Sequence, residues 1–442
     1  MTTIHLGLDD TDSDDGMCTT YLITLILEEL LKEKIKVLDY PNLIRLNPNI
    51  PWRTRGNASL CLRLETNNPK RIFNIAKKIM IKNSESKRNK ANSGLVMLCS
   101  KNIPKELIEF SKKCVNQEIK MKEMEKLVKN KDIYHFGQGT KRGLIGALAG
   151  IGNTLEEDHT YELIGYRKNG IGDRGVSLES ILKIDKKKEY SMFSNIDYNN
   201  HRILITPHGK DPILFALRGN NPKNLYKAMS ELRLYEDVER FVIFRSNQGT
   251  NEHITKELDL SNLKTYDSGY AIGEVITKPI VIRGGHVFIK IQNGKKKINC
   301  AIYAPTITLK NIARNLKIGD KIEVGGGISK KSKNYGRILN VEYIKIIKLE
   351  NRIIKRNPLC KKCNKSMKSK GKNQGYKCIK CGSESTRIRK LRIKHGIQNK
   401  LYLPVLSAQR HLIKPIERYG NEKHSKSAKV KGIWFKIFEH KE

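Results

Sequence analysis

No window of the sequence reaches the roughly 18–20 uninterrupted apolar residues that would span a bilayer, and the N-terminal stretch is acidic rather than a basic signal region. Both absences predict a cytoplasmic chain with no membrane contact. Nine cysteines in 442 residues do not make a disulfide framework. Cys18, Cys61, Cys99, Cys114 and Cys300 are scattered and read as reduced core or pocket residues. There is no Walker A loop, no protein-kinase signature and no Rossmann glycine fingerprint, so the common nucleotide-binding machineries are excluded. No long internal repeat or low-complexity tract is present.

Acidic residues are scarce: 45 stand against 85 lysines and arginines, a net charge of +40. Solubility does not require that much charge, and a polyanionic partner is its natural counterpart. A lysine-rich genome is the plain alternative, and composition does not separate RNA from DNA. The excess is uneven. The first thirty residues are acidic, whereas Lys355 to Lys431 is densely basic, a pattern expected of an acidic pocket joined to a polyanion-gripping tail. Length and 38% hydrophobic content predict three or four folded units.

Apolar periodicity divides the chain. Residues 1–134 read as an α/β unit, with strands at Ile4–Leu8, Val37–Leu46 and Ser59–Leu64 and helices at Met17–Lys34, Pro69–Ile81, Lys105–Cys114 and Lys120–Val128. Residues 135–268 read as an α+β, ferredoxin-like unit sharing elements with the first, with strands Tyr161–Tyr166, Ile213–Leu217 and Val238–Arg245 and a helix Pro222–Arg233. Residues 269–350 carry five short β runs, a helix near Leu309–Leu316 and glycine breaks that include Gly325-Gly326-Gly327, the pattern of an OB-fold barrel. A small barrel without a nucleic-acid role fits the same pattern. Residues 351–442 hold a metal motif and a basic tail.

Cys360-x2-Cys363, fourteen intervening residues and Cys378-x2-Cys381 form the strongest chemical spacing. Two thiolate knuckles complete the tetrahedral shell of a structural zinc site, against which a redox or iron site is the alternative. Lys361, Lys362, Lys365, Lys377 and Lys380 crowd the ligands and favour both thiolate and phosphate contact. The second motif is the loop Asp9-Asp10-Thr11-Asp12-Ser13-Asp14-Asp15 between a strand end and a helix start. So many carboxylates repel one another and any phosphate unless a hard cation intervenes, and magnesium carrying ATP is the simplest resolution. Thr19 and Thr20 follow where a phosphate would lie. The plain alternative has Ser13 or Asp14 capping the helix and the other acids solvated. Arg45, Arg53 and Arg55, set among proline, glycine and asparagine, predict a shaped anion-binding loop. Lys141 and Arg142 precede a Gly/Ala helix whose start would face phosphate, unless Gly143–Gly150 only packs tightly.

Gly7-Leu8-Asp9-Asp10-Thr11-Asp12-Ser13 with Gly16-Met17-Cys18-Thr19-Thr20 resembles the opening of archaeal tRNA(Ile)-2-agmatinylcytidine synthetases. Similar matches are Arg45-Leu46-Asn47-Pro48, Arg53-Thr54-Arg55-Gly56-Asn57, Arg142-Gly143-Leu144-Ile145-Gly146-Ala147-Leu148-Ala149, Glu162-Leu163-Ile164-Gly165-Tyr166-Arg167 and Arg410-His411-Leu412-Ile413-Lys414-Pro415. The resemblance implies an unusual N-terminal kinase-like domain, a ferredoxin-like domain, an OB-fold and a zinc ribbon. It implies ATP-dependent joining of agmatine to C2 of the wobble cytidine of CAU-anticodon tRNA(Ile) through a phosphorylated O2, with release of AMP and phosphate. Asp9, Asp10 and Asp12 match the motif that holds magnesium and ATP, together with Thr11, Ser13, Thr20, Lys141 and Arg142. Thr19 matches the autophosphorylated threonine, although Thr20 is adjacent and the register stays open. Arg410 joins Arg45, Arg53, Arg55 and the ribbon lysines as an RNA contact, and Asp173 or Asp211 is the guess for the agmatine guanidinium. A non-catalytic RNA- or single-stranded-DNA-binding protein is the alternative.

Overall fold

The apolar run Ile4–Leu8 forms the middle of β1 (Thr2–Asp9), buried on both faces because helices cover both sides of its sheet. In this computed structural model all residues are described except 55, 89, 130–131, 169–171, 199, 332–335, 351, 394 and 439–442, together with the side chains of 87–88, 352–353 and 392–393. Side chains alternate along the strand. Ile4, Leu6 and Leu8 pack beneath α1 (Thr19–Leu30), which offers Leu22, Ile26 and Leu30 at helical spacing.

β2 (Ile35–Val37) and β3 (Asn42–Arg45) precede β4 (Ala58–Thr66) and α2 (Pro69–Asn83), which Asn68 caps by accepting from the Arg71 amide at 3.1 Å. β5 (Gly94–Cys99), α3 (Lys105–Asn116), α4 (Met121–Leu127), β6 (Ile133–Gly137) and α5 (Gly143–Gly152) follow. Next come β7 (Thr160–Arg167), α6 (Leu178–Asp185), a two-stranded ladder of β8 (Ile196–Asp197) and β9 (Arg202–Ile203), then β10 (Ile213–Gly219), α7 (Pro222–Glu231) and β11 (Val238–Ser246).

These two segments share one sheet, ordered β10-β7-β11-β3-β4-β1-β5-β6. Every pairing along it is antiparallel except β11 with β3, where Arg245 faces Asn42 and Ser246 faces Leu43. The parallel seam welds two antiparallel halves, and α5 packs across β1, β4 and β5 on the face opposite α1.

The barrel consists of β12 (Ser268–Val275), a short β13 (Ile280–Val281), β14 (Val287–Asn293), β15 (Lys296–Ile302), α8 (Thr308–Asn315), β16 (Lys321–Ile328) and β17 (Ile338–Lys348), closed by β12 pairing with β14. The chain then leaves through β18 (Arg352–Arg356), a three-stranded ribbon of β19 (Lys368–Ser369), β20 (Tyr376–Lys377) and β21 (Glu384–Ser385), and β22 (Arg389–Ile393). It returns as β23 (Leu401–Tyr402) on β17, and β24 (Phe435–Ile437) pairs with β11.

Several boundaries depart from the sequence pattern. Val37–Leu46 breaks between β2 and β3, because Pro41 offers no amide donor and Asp39 turns inward to Arg245. Gly325–Gly327 lies inside β16 rather than between strands. A Cβ on Gly325 would meet the Tyr343 ring at 2.0 Å and one on Gly327 the Asn49 amide at 1.9 Å, so the glycines make room for a cross-strand aromatic and for the 46–57 loop. β5 and β6 go beyond the elements that periodicity predicts.

Arg245 is fully buried and donates to Asp39 Oδ2 at 2.8 Å, to the Leu155 carbonyl at 2.9 Å and to the Ser425 carbonyl at 2.6 Å, tying the seam to the tail. Removing one partner of such a pair leaves an uncompensated buried charge, at a cost of about 3–5 kcal/mol. Arg245→Leu is therefore expected to lower the stability of the sheet by that amount. Urea titration followed by Trp434 fluorescence in a Trp52→Phe background checks it, and a loss below about 1 kcal/mol refutes it.

Candidate active site

The end of β1, the start of α1 and the start of α5 converge on a cavity of about 360 Å³. Asp9, Asp10 and Asp12 line it beside Thr19 and Thr20, with Arg142 and Gly143 at the start of α5 and Arg45, Arg53 and Arg218 further along the wall. Helix α5 lies close enough that a Cβ on Gly146 would sit 1.7 Å from Asp9 Oδ2. Only glycine admits the Asp9 carboxylate there.

Charge is crowded at this head. Burial, then the charge of Asp10, holds the Asp9 carboxyl well above the usual carboxylate range. Asp10 is pushed up to about 6 by burial and by Asp12, against hydrogen bonds from Asn92 and the charge of Arg142. Asp10 adopts φ +54°, a left-handed conformation that aspartate tolerates better than most residues. The donor set fits a hard divalent cation, since oxygen ligands converge and their mutual repulsion is what a cation relieves.

α1 starts at Cys18 with no side-chain cap, so neither Ser13 nor Asp14 caps it. Thr19 Oγ1 instead donates to Asp12 Oδ1 at 3.0 Å and accepts from Thr11 Oγ1 at 3.1 Å. Thr20 Oγ1 lies 3.0 Å from Cys18 Sγ. A carboxylate thus holds the Thr19 hydroxyl, while Thr20 faces a thiol.

Placement of the other candidates is uneven. Thr11 is buried beneath the loop and Ser13 turns away to donate to Glu85 at 3.3 Å, so both brace the acidic loop from outside the cavity lining. Asp14 is exposed, and Asp15 pairs with Lys90. Lys141 is exposed and outside the lining, whereas the Arg142 guanidinium stacks 4.2 Å over the Trp52 ring. Arg410 lines adjoining cavities beside Arg53 rather than the acidic one. Lys361, Lys362, Lys377 and Lys380 are exposed on the ribbon, away from the cavity lining. Arg55 lies outside the described residues. Asp211 is buried, lines the cavity and sits 3.6 Å from Arg174, while Asp173 is exposed and outside it.

Sequence reasoning missed the wall opposite the acids. Glu162, on β7, binds Arg45 at 3.1 Å and Arg218 at 3.2 Å. Its signal was a carboxylate inside an otherwise apolar strand, which burial makes expensive without a cationic partner. His411 reaches the same wall from the tail, where the charge of Arg45, burial, and the charges of Arg218 and Arg53 hold its imidazole well below the usual range. Nothing local predicts that approach.

The ribbon carries the second centre. Sγ atoms of Cys360, Cys363, Cys378 and Cys381 all lie within 4.8 Å of one another. Zinc–thiolate bonds of about 2.3 Å in a tetrahedron place sulfurs roughly 3.8 Å apart, which this cluster fits. Each knuckle is closed by its own backbone: the Cys360 amide donates to the Lys365 carbonyl and the Cys378 amide to the Ser383 carbonyl, both at 2.8 Å. Among the described residues no helix is long and apolar enough to cross a membrane.

Three family models match, described as the TiaS TCKD domain over residues 5–140, the TiaS FLD domain over 141–253 and the TiaS C-terminal zinc ribbon domain over 357–397. The 2-agmatinylcytidine synthetase TiaS of Cenarchaeum symbiosum, which acts on an isoleucine tRNA, is 37% identical, with 95% of this chain and 93% of that protein covered. The chain belongs to the tRNA(Ile)-2-agmatinylcytidine synthetase family. The synthetase of Archaeoglobus fulgidus is 34% identical over 95% of this chain and 98% of its own length. Among solved structures, apo TiaS is 33% identical with a TM-score of 0.85, covering 94% of this chain and 97% of that one. The complex of TiaS with its isoleucine tRNA, AMPCPP and agmatine is 31% identical with a TM-score of 0.82, covering 95% and 98%. The family's first two domains meet at residues 140 and 141, between β6 and α5, yet in this synthetase both contribute strands to one sheet.

The folded protein binds the Asp10 proton more tightly than the unfolded chain does, so this carboxyl destabilises metal-free protein above pH 6 and ceases to do so as pH falls toward 3.8. At roughly 1.4 kcal/mol per pH unit, the penalty near pH 7.5 is about 3 kcal/mol. Asp10→Asn should therefore raise the melting temperature in EDTA at pH 7.5 and make little difference at pH 4, and an unchanged or lower value at pH 7.5 refutes the burial argument. Cys378→Ser should abolish bound zinc, measured by plasma emission spectrometry, and open protease sites between residues 357 and 397 while the sheet's melting transition stays in place.

Proposed function

We propose that this chain joins agmatine to C2 of the wobble cytidine in the CAU anticodon of tRNA(Ile), using ATP and releasing AMP and phosphate, in the cytoplasm. The observation that carries the reading is the single cavity in which Asp9, Asp10 and Asp12 meet Thr19 at one end and the Arg45–Glu162–Arg218 wall at the other. A relative crystallised with its isoleucine tRNA, AMPCPP and agmatine supports the same assignment of substrates.

Asp9, Asp10 and Asp12 would hold magnesium, which supplies neutralisation of the ATP phosphates when bound. Asp12 orients the Thr19 hydroxyl through the 3.0 Å hydrogen bond and accepts its proton, which makes Thr19 rather than Thr20 the residue suited to take up a phosphoryl group. The cytidine C2 carbonyl is urea-like and a poor electrophile. ATP leaves as AMP once two phosphoryl groups have gone, one to Thr19, from which water returns it as phosphate, and one to the cytidine O2, after which the agmatine amine adds at C2, loses a proton and expels phosphate, so a C–N bond replaces a C–O bond. Agmatine carries a guanidinium, and Asp211 is the carboxylate of the lining best suited to it, being buried within the apolar stretch of Leu204, Ile205 and Ile213. Arg45 and Arg53 bear on the RNA phosphates near the cavity, and the exposed Lys361, Lys362, Lys377 and Lys380 grip the tRNA at a distance.

Purified protein with ATP, magnesium, radiolabelled agmatine and an unmodified CAU-anticodon tRNA(Ile) transcript should incorporate label into RNA. Incorporation should require ATP, fall about a hundred- to a thousandfold in Asp10→Asn by loss of a carboxylate that would hold magnesium, and fall far more in Thr19→Ala than in Thr20→Ala. RNA binding without incorporation would leave a binding protein in place of an enzyme.

A further inference from the structure

Two cavities adjoin the acidic one and share its Arg53 wall. The first, about 230 Å³, lies between the 46–57 loop and the tail and is lined by Arg45, Arg53, Arg410 and His411 with no carboxylate in the lining. The second, about 410 Å³, opens between that loop and the barrel, where Asn49 and Asn340 face it with Arg53 and Arg410. It is no smaller than the acidic cavity at about 360 Å³. Arg410 is thus brought from far along the sequence to Arg45 and Arg53, and its charge adds to burial in depressing the pKa of Arg53. Arg410 Nη1 is buried without a hydrogen-bond partner among the described residues. Its Nε lies 3.4 Å from Glu342 Oε1, and Glu342 is also held by His253 at 2.8 Å, so that carboxylate offsets one guanidinium and leaves the cluster cationic. On the barrel side, Asn340 Oδ1 accepts from the Tyr303 hydroxyl at 3.0 Å, which fixes its Nδ2 as the donor.

An unstacked RNA strand that sends one base into the acidic cavity must lay its neighbouring phosphate and base just outside it. We propose that these adjoining cavities hold the nucleotide next to the target cytidine, its phosphodiester between Arg53 and Arg410 and its base against Asn49 and Asn340. The assignment rests on the proposed RNA substrate and extends it to a second, reading subsite. Clustered guanidinium groups without a carboxylate in the lining suit a single phosphodiester, and one amide on the 46–57 loop facing one on the barrel suits the hydrogen-bonding edge of an unpaired base.

The test is a double-mutant cycle between protein and RNA. Full-length tRNA(Ile) is assembled with one neutral methylphosphonate, immediately 5′ or immediately 3′ of the target cytidine, and agmatine incorporation is measured with the wild-type protein, Arg410→Gln and Arg53→Gln. One of the two linkages, when neutralised, should raise KM for tRNA about tenfold with kcat within about twofold and KM for ATP unchanged. Either arginine variant should raise KM for unmodified tRNA by a similar factor and lose little more on the neutral linkage. Arg53→Gln keeps the test open if loss of the Glu342 partner impairs folding of Arg410→Gln. Additive losses, or a rise in KM for ATP in place of tRNA, would overturn the subsite. Failure of the wild-type protein to label unmodified tRNA would instead remove the substrate assignment on which it stands.

Discussion

The approach of helix α5 to the sheet, backbone against backbone, decides where every group at the acidic head can lie. Gly146 and Gly143 let the helix press onto the end of β1, and the Asp9 carboxylate occupies the space a side chain on Gly146 would fill. Asp9 is thereby buried beside Asp10 and Asp12, and burial is what drives the first two carboxyls toward protonation. Helix α5 also carries the chain from β6 at one edge to β7 across the seam that β11 and β3 close. Local instability at the head is thus offset by packing elsewhere in the sheet.

The opposite wall solves a different electrostatic problem. Arg45 and Arg218 share Glu162, so two cations are held in place by one buried carboxylate and the wall keeps a positive balance. His411, surrounded by arginines, stays neutral and adds a polar group without adding charge. A molecule with a net charge of +40 therefore contains one cavity with an acidic end and a cationic end. That polarity suits an RNA chain arriving from the basic side and a cation-borne nucleotide held on the other.

What could be read in the sequence was local. The Asp9–Asp15 run announces itself because carboxylates crowd a strand end, and the ribbon because four cysteines keep knuckle spacing; both depend on residues a few positions apart. Arg53 and Arg410 were legible as polyanion contacts by type, but not as neighbours, because the tail's return to the 46–57 loop leaves no periodicity. Glu162 and Arg218 were missed for a related reason: each sits in a strand whose apolar pattern dominates, and their pairing exists only once β7 and β10 are adjacent. The Gly325–Gly327 run was misplaced because glycine signals a turn and a close approach equally well, and only the docked Asn49 and Tyr343 decide between them.

The return of the tail also orders events in time. His411 completes a cavity that begins at Asp9, and β24 secures the tail only after residue 437 has joined β11. During synthesis the N-terminal segments fold first, so the carboxylates, Thr19 and the Arg45–Glu162–Arg218 wall are assembled before His411 arrives from the tail. A chain without its tail has the acidic head and the arginine wall but not the His411 side of the enclosure.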